Sequence, residues 1–279
     1  MSKLLISVDA SPAHSAMLLV RSEGYVTTPI ASAHIVNRLS LLPRLKSAAK
    51  GKVHPGEIRF ATETGPMYLI GPGADHFGSA DGYSNDHEES RVLFLAWLRR
   101  SIRLALSRLE AEADGAKIHA CAIEDYAYAA AQGAHQIGEV GGLYRLELMD
   151  VAPLRTIDAT TIKKSFTGHG LADKTMMGDE FRRRHPDWTL RPLTNNAGKP
   201  TVVYEDWVDA WASAQIMGLA LHVRSGDIAF GDVPENLRQI LARTTKAHPE
   251  AMAHRALASV ESFNDYVDRR LGRDHRDRL

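Results

Sequence analysis

Cysteine is almost absent from this chain, and this scarcity narrows the possible classes of protein. Only one of the 279 residues is a cysteine, Cys121, and it lies in an apolar run that favours a buried strand. A single cysteine excludes an internal disulfide framework and a zinc cluster built on cysteines. It fits a reducing compartment, so we expect a cytoplasmic protein.

Long apolar runs and net charge are also missing. No stretch is apolar over the roughly 20 residues that a membrane-spanning helix needs, and we find no signal-peptide pattern at the N-terminus, so we expect no membrane partner. Lys and Arg together number 34, as do Asp and Glu, so the formal net charge is zero. The overall charge therefore gives no support to nucleic-acid binding, and any such argument has to come from local clusters.

Two of the predicted buried strands end at an acid. Residues 3–8 (KLLISV) form an apolar run before Asp9, and the next two strands, at residues 15–20 and 24–30, form a hairpin. Residues 117–123 (KIHACAI) form a similar run before Glu124. Sites in open α/β sheets are built where strands end. The alternative is that both acids are ordinary turn residues.

A third acidic feature is the predicted helix at residues 201–220 (TVVYEDWVDAWASAQIMGLA). Asp206 and Asp209 are three residues apart, so they share one face of this helix. The abundance of small and apolar residues after them predicts that the helix packs against a core. The alternative is that Asp206 caps the helix and Asp209 is a first-turn acid, because carboxylates are favoured at a helix N-terminus.

The remaining segments are predicted as follows. Residues 32–88 form an insertion, with a weakly patterned helix at 32–51, a hairpin at 57–71 and a loop at 71–85. A long helix covers 88–113, with its arginines on a solvated face, shorter helices cover 159–166 and 171–184, and residues 234–271 are mostly helical. We expect one domain at 1–222, containing the insertion, and a helical C-terminal extension at 223–279.

The four acids, Asp9, Glu124, Asp206 and Asp209, suggest a metal site if they meet. Carboxylates brought together repel one another, and their pKa values rise until some take up protons. Two Mg²⁺ ions would cancel four negative charges, and oxygen ligands are the ones that Mg²⁺ prefers. Two such ions can activate a water and stabilise the leaving oxygen of a phosphodiester. Spacing alone does not establish that the acids converge.

Several motifs, in order, resemble those of the RuvC-like Holliday junction resolvases. The matching segments are residues 6–9 with the hairpin after them, residues 122–124, residues 136–145, residues 206–210 and the lysine–glycine segment 162–174 (IKKSFTGHGLADK). The last is the most specific, since it has the family's lysine, G-x-G turn, acid and second lysine. The resemblance covers about 3–30 and 90–220.

The resemblance implies an α/β protein of the ribonuclease H-like fold, with a mixed five-stranded sheet, its first three strands antiparallel, and helices on both faces. It also implies a homodimer that cuts four-way DNA junctions with Mg²⁺ or Mn²⁺, two ions per active site. Asp9, Glu124, Asp206 and Asp209 would be the metal ligands. Lys163 would approach the scissile phosphate, and Lys174 would contact the DNA backbone or order the glycine turn.

The lysine–glycine segment has a physical interpretation of its own. If residues 167–170 open a helix, the free amides around Gly168 and Gly170 would bind phosphate beside Lys163, Lys164 and Lys174. The alternative is a glycine cap with surface lysines. Family members often carry an aromatic residue three positions after the glutamate. That position is alanine here, so Tyr126 or Tyr128 would stack on DNA bases instead, or else both tyrosines pack on the neighbouring helix.

The sequence is also compatible with other functions. The same fold and acids would serve a nuclease for branched DNA or RNA–DNA hybrids, or a non-catalytic junction-binding scaffold. A sugar-kinase or actin-like ATPase is excluded, because its second glycine-rich phosphate hairpin is missing. The insertion and the extension would suit an enzyme of a large bacteriophage.

Overall fold

The computed structural model describes residues 2–37, 57–71, 88–125, 134–195 and 197–243. The strands are β1 (Lys3–Ala10), β2 (His14–Glu23), β3 (Val26–Val36), β4 (Glu57–Thr62), β5 (Gly65–Ile70), β6 (Ile118–Glu124) and β7 (Leu154–Ile157). The helices are α1 (Glu88–Glu112), α2 (Ala134–Val151), α3 (Ala159–Thr167), α4 (Lys174–Arg184), α5 (Val202–Arg224) and α6 (Glu235–Arg243).

The strands form one mixed sheet in the order β4-β5-β3-β2-β1-β6-β7. β1, β2 and β3 are antiparallel neighbours, while β6 and β7 run parallel to β1. These five strands confirm the sheet expected from the resemblance. The sheet has seven strands rather than five because the hairpin β4–β5, which was predicted within the insertion, adds to the edge through parallel pairing of β5 with β3.

Helices cover both faces of the sheet. On one face α3, α4, α5 and α6 pack against alternate residues of the strands, among them Leu5, Leu18 and Ala120. On the other face α1 and α2 pack against the intervening residues, such as Ile6 and Leu19. This two-sided burial explains why β1 is apolar without alternation. None of the described helices is long and apolar enough to cross a bilayer.

The prediction that the arginines of α1 lie on a solvated face is incomplete, because several of them also form ion pairs. Arg99 and Arg103 donate to the two carboxylate oxygens of Glu147 on α2, at 2.6 and 2.7 Å. Arg108 forms a two-bond pair with Glu57 of β4, at 2.7 and 2.8 Å. These pairs tie α1 to its neighbouring helix and to the added hairpin.

Three predicted boundaries differ from the structure. The weakly patterned helix at 32–51 is wrong for its first residues, because residues up to Val36 continue β3, and residues 38–51 lie outside the described part. The predicted helix at 171–184 begins at Lys174, since Asp173 caps it. The helix predicted at 201–220 extends to Arg224. The loop at 72–85 and the chain after 243 also lie outside the described residues.

Candidate active site

Asp9 and Glu124 lie side by side at one edge of the sheet. The parallel register of β1 and β6 pairs Val8 with Ile123, so the next residue of each strand is the acid. Because side chains alternate along a strand, both acids are on the face that carries Leu5 and Ala120. That is the face on which α5 packs. The positions of Asp9 and Glu124 therefore fit the interpretation that they lie at the ends of two neighbouring strands.

Helix α5 brings a third carboxylate, Asp209, to this pair. Small residues on α5 and on the strands beneath it allow a close approach, and Gly218 is the clearest case. A Cβ on Gly218 would lie 2.4 Å from Ser22 Oγ and 2.9 Å from Ser22 Cβ. The buried Trp207 and Trp211 fix the same helix against α4. Asp209 is thus held by a rigid element.

These three carboxyl groups lie close enough for their charges to affect one another's pKa values. Burial, followed by the charge of Asp209, raises the pKa of Asp9 to about 7. Burial, followed by the charges of Asp9 and Asp209, raises the pKa of Glu124 to about 8. Burial also raises the pKa of Asp209, with a smaller contribution from Glu205. Three acids that disfavour their own ionisation in this way form a place where a cation would bind.

The charges of two lysines act on these acids. Both Lys163 of α3 and Lys174 of α4 lower the pKa values of Glu124 and Asp209 against the effect of burial. Lys174 Nζ lies 3.4 Å from Glu205 Oε2 and 3.5 Å from Asp206 Oδ1. Its side chain is about half exposed. In this structure the lysines partly neutralise the acids.

Asp206 is held differently from the other three predicted ligands. It is 2% exposed, and its Oδ2 contacts Nδ1 of His14, the first residue of β2. Burial lowers the pKa of His14 to about 4, and the charge of Lys174 acts in the same direction. A neutral imidazole can donate from Nδ1 to the carboxylate. Asp206 is therefore fixed by His14 and Lys174 beside the group formed by Asp9, Glu124 and Asp209.

The alternative interpretation of the α5 acids as capping residues is wrong. Thr201 is the residue at the N-cap position, and Glu205 is the first-turn acid. Asp206 and Asp209 both follow the first turn. Their burial is therefore a property of the packed helix and needs another explanation than the helix dipole.

The lysine–glycine segment combines parts of both interpretations. Gly168 is the C-cap of α3, with φ of 80°, and its N–H donates to Lys164 O at 3.0 Å. Helix α4 does not open at residues 167–170, because Asp173 caps it and accepts from Met176 N at 2.8 Å. Gly170 instead allows a close approach, since a Cβ there would lie 2.8 Å from Thr160 Cγ2. One amide of the first turn of α4 is thus already paired with a carboxylate of the chain itself.

The donor set fits a divalent ion by chemical type. Carboxylate oxygens are the ligands that Mg²⁺ and Mn²⁺ take, and burial together with the charges of neighbouring acids raises the pKa values of Asp9 and Glu124. Within the described ranges, no group of three His, Cys, Asp or Glu side chains is already arranged to coordinate a metal ion. Binding would therefore require the acids to adjust their rotamers.

Sequence reasoning missed His14 and Glu205, which contact Asp206 and Lys174. The signal for His14 was available, because a hairpin after Asp9 returns the start of the second strand to the same edge. Tyr126 and Tyr128, the predicted stacking residues, lie outside the described residues.

Comparisons with known proteins return structural neighbours. No protein-family model and no curated protein matches the chain. The chain is similar to the Thermus thermophilus RuvC structure, with 12% identity and a TM-score of 0.43, over 81% of this chain and 97% of that one. It is also similar to T. thermophilus RuvC in complex with Holliday junction substrate, with 14% identity and a TM-score of 0.44, over 80% and 96% of the two chains.

Proposed function

We propose that this chain is a metal-dependent, structure-selective DNA endonuclease that resolves four-way junctions. The observation that carries the proposal is the meeting of Asp9, Glu124 and Asp209 from three elements, with Lys163 and Lys174 within electrostatic reach. Acids alone would suit any metal site. Acids flanked by lysines suit a substrate that carries phosphates.

In this proposal Asp9, Glu124 and Asp209 would hold two Mg²⁺ or Mn²⁺ ions, and Asp206 would contribute through Oδ1. A bound divalent ion supplies Lewis-acid stabilisation of phosphate charge and a water of lowered pKa. The His14 ring would keep the Asp206 carboxylate from rotating. Because β1, β6 and α5 are rigid elements, they would hold the carboxylate ligands near one another before the substrate binds.

The lysines would then exchange partners. When cations neutralise the acids, Lys163 and Lys174 become available to phosphate oxygens, Lys163 at the scissile group and Lys174 along the backbone. Lys164 and the turn at Gly168 and Gly170 would contact the backbone of the same DNA strand. Tyr126 or Tyr128 would stack on bases at the branch. A homodimer would present two such sites to the two strands of a junction.

We retain the division into a nuclease domain at 1–222 and a helical extension at 223–279, and a cytoplasmic site of action. The buried free thiol of Cys121 is compatible with a reducing compartment. An origin in a large bacteriophage stays a prediction from the two extra segments.

The test is cleavage of a labelled immobile four-way junction, alongside linear duplex, a three-way branch and an RNA–DNA hybrid. We expect paired symmetric nicks on the four-way junction that require Mg²⁺. Asp9→Asn should lower the rate roughly 100-fold or more, the cost of losing one group that stabilises transition-state charge, while junction binding persists. Asp206→Asn should lower the rate of paired cutting to a similar extent. Asp187→Asn, an exposed acid on the turn after α4, is the matched control.

Each other outcome points to a different function. Equal cutting of all branched substrates would keep the site and widen the activity to a general branch nuclease. Cutting of the hybrid alone would indicate a ribonuclease H activity. Tight metal-independent binding without cutting would favour a scaffold, and normal cutting by Asp9→Asn would refute the assignment of the acids.

A further inference from the structure

A cavity of about 470 Å³ adjoins the acids on the side of α4. It lies between α4, residues 197–200 and the start of α5, and Asp209 forms part of its wall. This volume falls within the range of cavities that enclose a small organic ligand. The cavity is therefore of a size to hold a nucleotide-scale group directly beside the candidate active site.

The lining of this cavity is apolar at its base, and its mouth carries three cations and the acid Glu205. Met177, Tyr204 and Val208, all buried core residues, contribute the base. Lys174 and Arg182, each about half exposed, stand at the mouth with Lys199. A flat apolar group would be favoured inside, with an anionic group outside.

The wall at residues 197–200 is held in place by its own hydrogen bonds. Asn195 Oδ1 accepts from Ala197 N at 2.9 Å and from Lys199 N at 3.0 Å, and Asn195 N donates to Lys199 O at 2.8 Å. An isolated bridge between Thr194 and Pro200 closes the loop. The cavity is thus preformed, which lowers the entropic cost of binding.

Lys199 differs from the other two cations at the mouth. Lys174 is paired with Glu205 and Asp206, and Arg182 with Asp179. In the part of the chain that the structure describes, no salt bridge joins Lys199 to a carboxylate. A cation without a compensating acid at the mouth of a cavity favours an anionic ligand.

We propose that this cavity binds one nucleotide of the DNA strand that is cut, immediately next to the scissile phosphate. The sugar and base would lie over Met177 and Val208, and the phosphate of that nucleotide would contact Lys199 and Arg182. The inference rests on the proposed function, since the strand reaches the cavity by passing the acids at Asp209. It adds a subsite that would distinguish an unpaired nucleotide from one stacked in a duplex.

The test measures binding of a fluorescent four-way junction to the full-length protein in EDTA, so that affinity is separated from cutting. Lys199→Ala should weaken binding several-fold and reduce the slope of log affinity against log salt by about 1. Lys117→Ala, an exposed lysine before β6 at the opposite edge of the sheet, should change neither. Equal affinities and slopes for wild type and Lys199→Ala would overturn the proposal.

A second arm tests whether a base enters the cavity. Ala197→Trp, at an exposed position of the wall, should fill the space, and a single abasic residue is placed in turn at each position around the branch. One abasic position should weaken wild-type binding about 5-fold or more, as expected for the loss of base contacts. The Ala197→Trp protein should lose affinity for the intact junction and lose nothing further at that position. Fully additive losses, or no sensitive position, would overturn the proposal.

The outcomes separate this inference from the proposed function. Normal junction cutting with unaffected variants would refute the subsite and leave the nuclease. Binding without cutting would refute the nuclease, while the affinity measurements still decide the subsite. Wild-type protein that binds no DNA would refute both. If Ala197→Trp fails to fold by its melting curve, Lys199→Glu, which adds no bulk inside the cavity, decides by a larger loss than Lys199→Ala.

Discussion

Two histidines lie on the face of the sheet that carries the candidate site. His34 of β3 is paired in register with Ala16, two residues after His14 on β2. His34 is fully buried, and neither ring nitrogen has a hydrogen-bond partner among the described residues. Burial, with a smaller contribution from His14, lowers the pKa of His34 to about 3. The folded state therefore requires the His34 ring to be neutral.

This condition predicts a loss of stability in acid. As the pH falls below 6.5, the unfolded chain takes up the His34 proton before the folded chain does, so stability present at neutral pH is lost progressively toward pH 3. At pH 5 the loss is about 2 kcal/mol, from 1.36 kcal/mol per pKa unit. Urea unfolding of wild type and His34→Met at pH 7.5 and 5 should show this difference.

The matched control for that measurement is His169→Met, because His169 is exposed on the glycine turn. Its stability should follow wild type at both pH values. Parallel pH curves for wild type and His34→Met would show that the buried ring carries no such cost. The comparison between variants is needed because Asp9 and Glu124, with raised pKa values, act in the opposite direction.

Single residues differ in how far the sequence predicts their roles. Asp9 and Glu124 were predictable, since an acid directly after an apolar run marks a strand end. The pairing of Asp206 with His14 was not, because it joins residues 192 positions apart. Local pattern contains no information on which of two helix acids faces a histidine and which faces other acids.

Among the elements, α5 depends on close contact with the sheet. Its residues from Val203 to Val223 are mostly buried, and Gly218 lies where the helix meets Ser22 of β2. A helix this apolar on several sides belongs to a core. The position of Asp209 relative to β1 and β6 follows from this contact.

We predict opposite effects for the same substitution in two helices. Gly218→Ala forces a Cβ to within 2.4 Å of Ser22 Oγ, so it should destabilise the protein by about 1–3 kcal/mol, as overpacking does. Gly142→Ala, in the exposed part of α2 with nothing within 4 Å, should stabilise it by roughly 0.5–1 kcal/mol. Thermal or urea unfolding of both variants checks the signs. A neutral or stabilising Gly218→Ala would show that α5 can move away from the sheet at little cost.

Element types were predicted better than their partners. The hairpin β4–β5 was predicted from its pattern around Gly65, but its parallel pairing with β3 is a long-range contact that periodicity does not encode. The start of α4 was readable from Asp173, a favoured N-cap residue. The expectation of a phosphate-binding helix start at residues 167–170 overlooked that signal.

At the scale of the whole molecule, zero net charge conceals a strongly uneven distribution. Acids from β1, β6 and α5 meet at one edge of the sheet, and the lysines of α3 and α4 oppose them there. The five-stranded centre and its helical layers were expected from the resemblance of the sequence motifs to a known family. The convergence at the edge required the three-dimensional register.

That uneven distribution predicts a metal response of the whole fold. Mg²⁺ at ten times its dissociation constant should stabilise the protein by about 1.4 kcal/mol, because it binds the folded state alone, and should raise Tm by about 3 °C for a chain of this size. Differential scanning calorimetry at pH 8, with KCl at matched ionic strength as the control, measures the shift.

Asp9→Asn should separate stability from metal binding in the same experiment. At pH 8 the ionised Asp9 is disfavoured by burial and by Asp209, so a neutral amide should raise the Tm of the metal-free protein above wild type. The same substitution removes a ligand and should abolish the Mg²⁺ shift. A variant that is less stable without metal and still responds to Mg²⁺ would mean that the acids do not repel one another at this edge, and that the ion binds elsewhere.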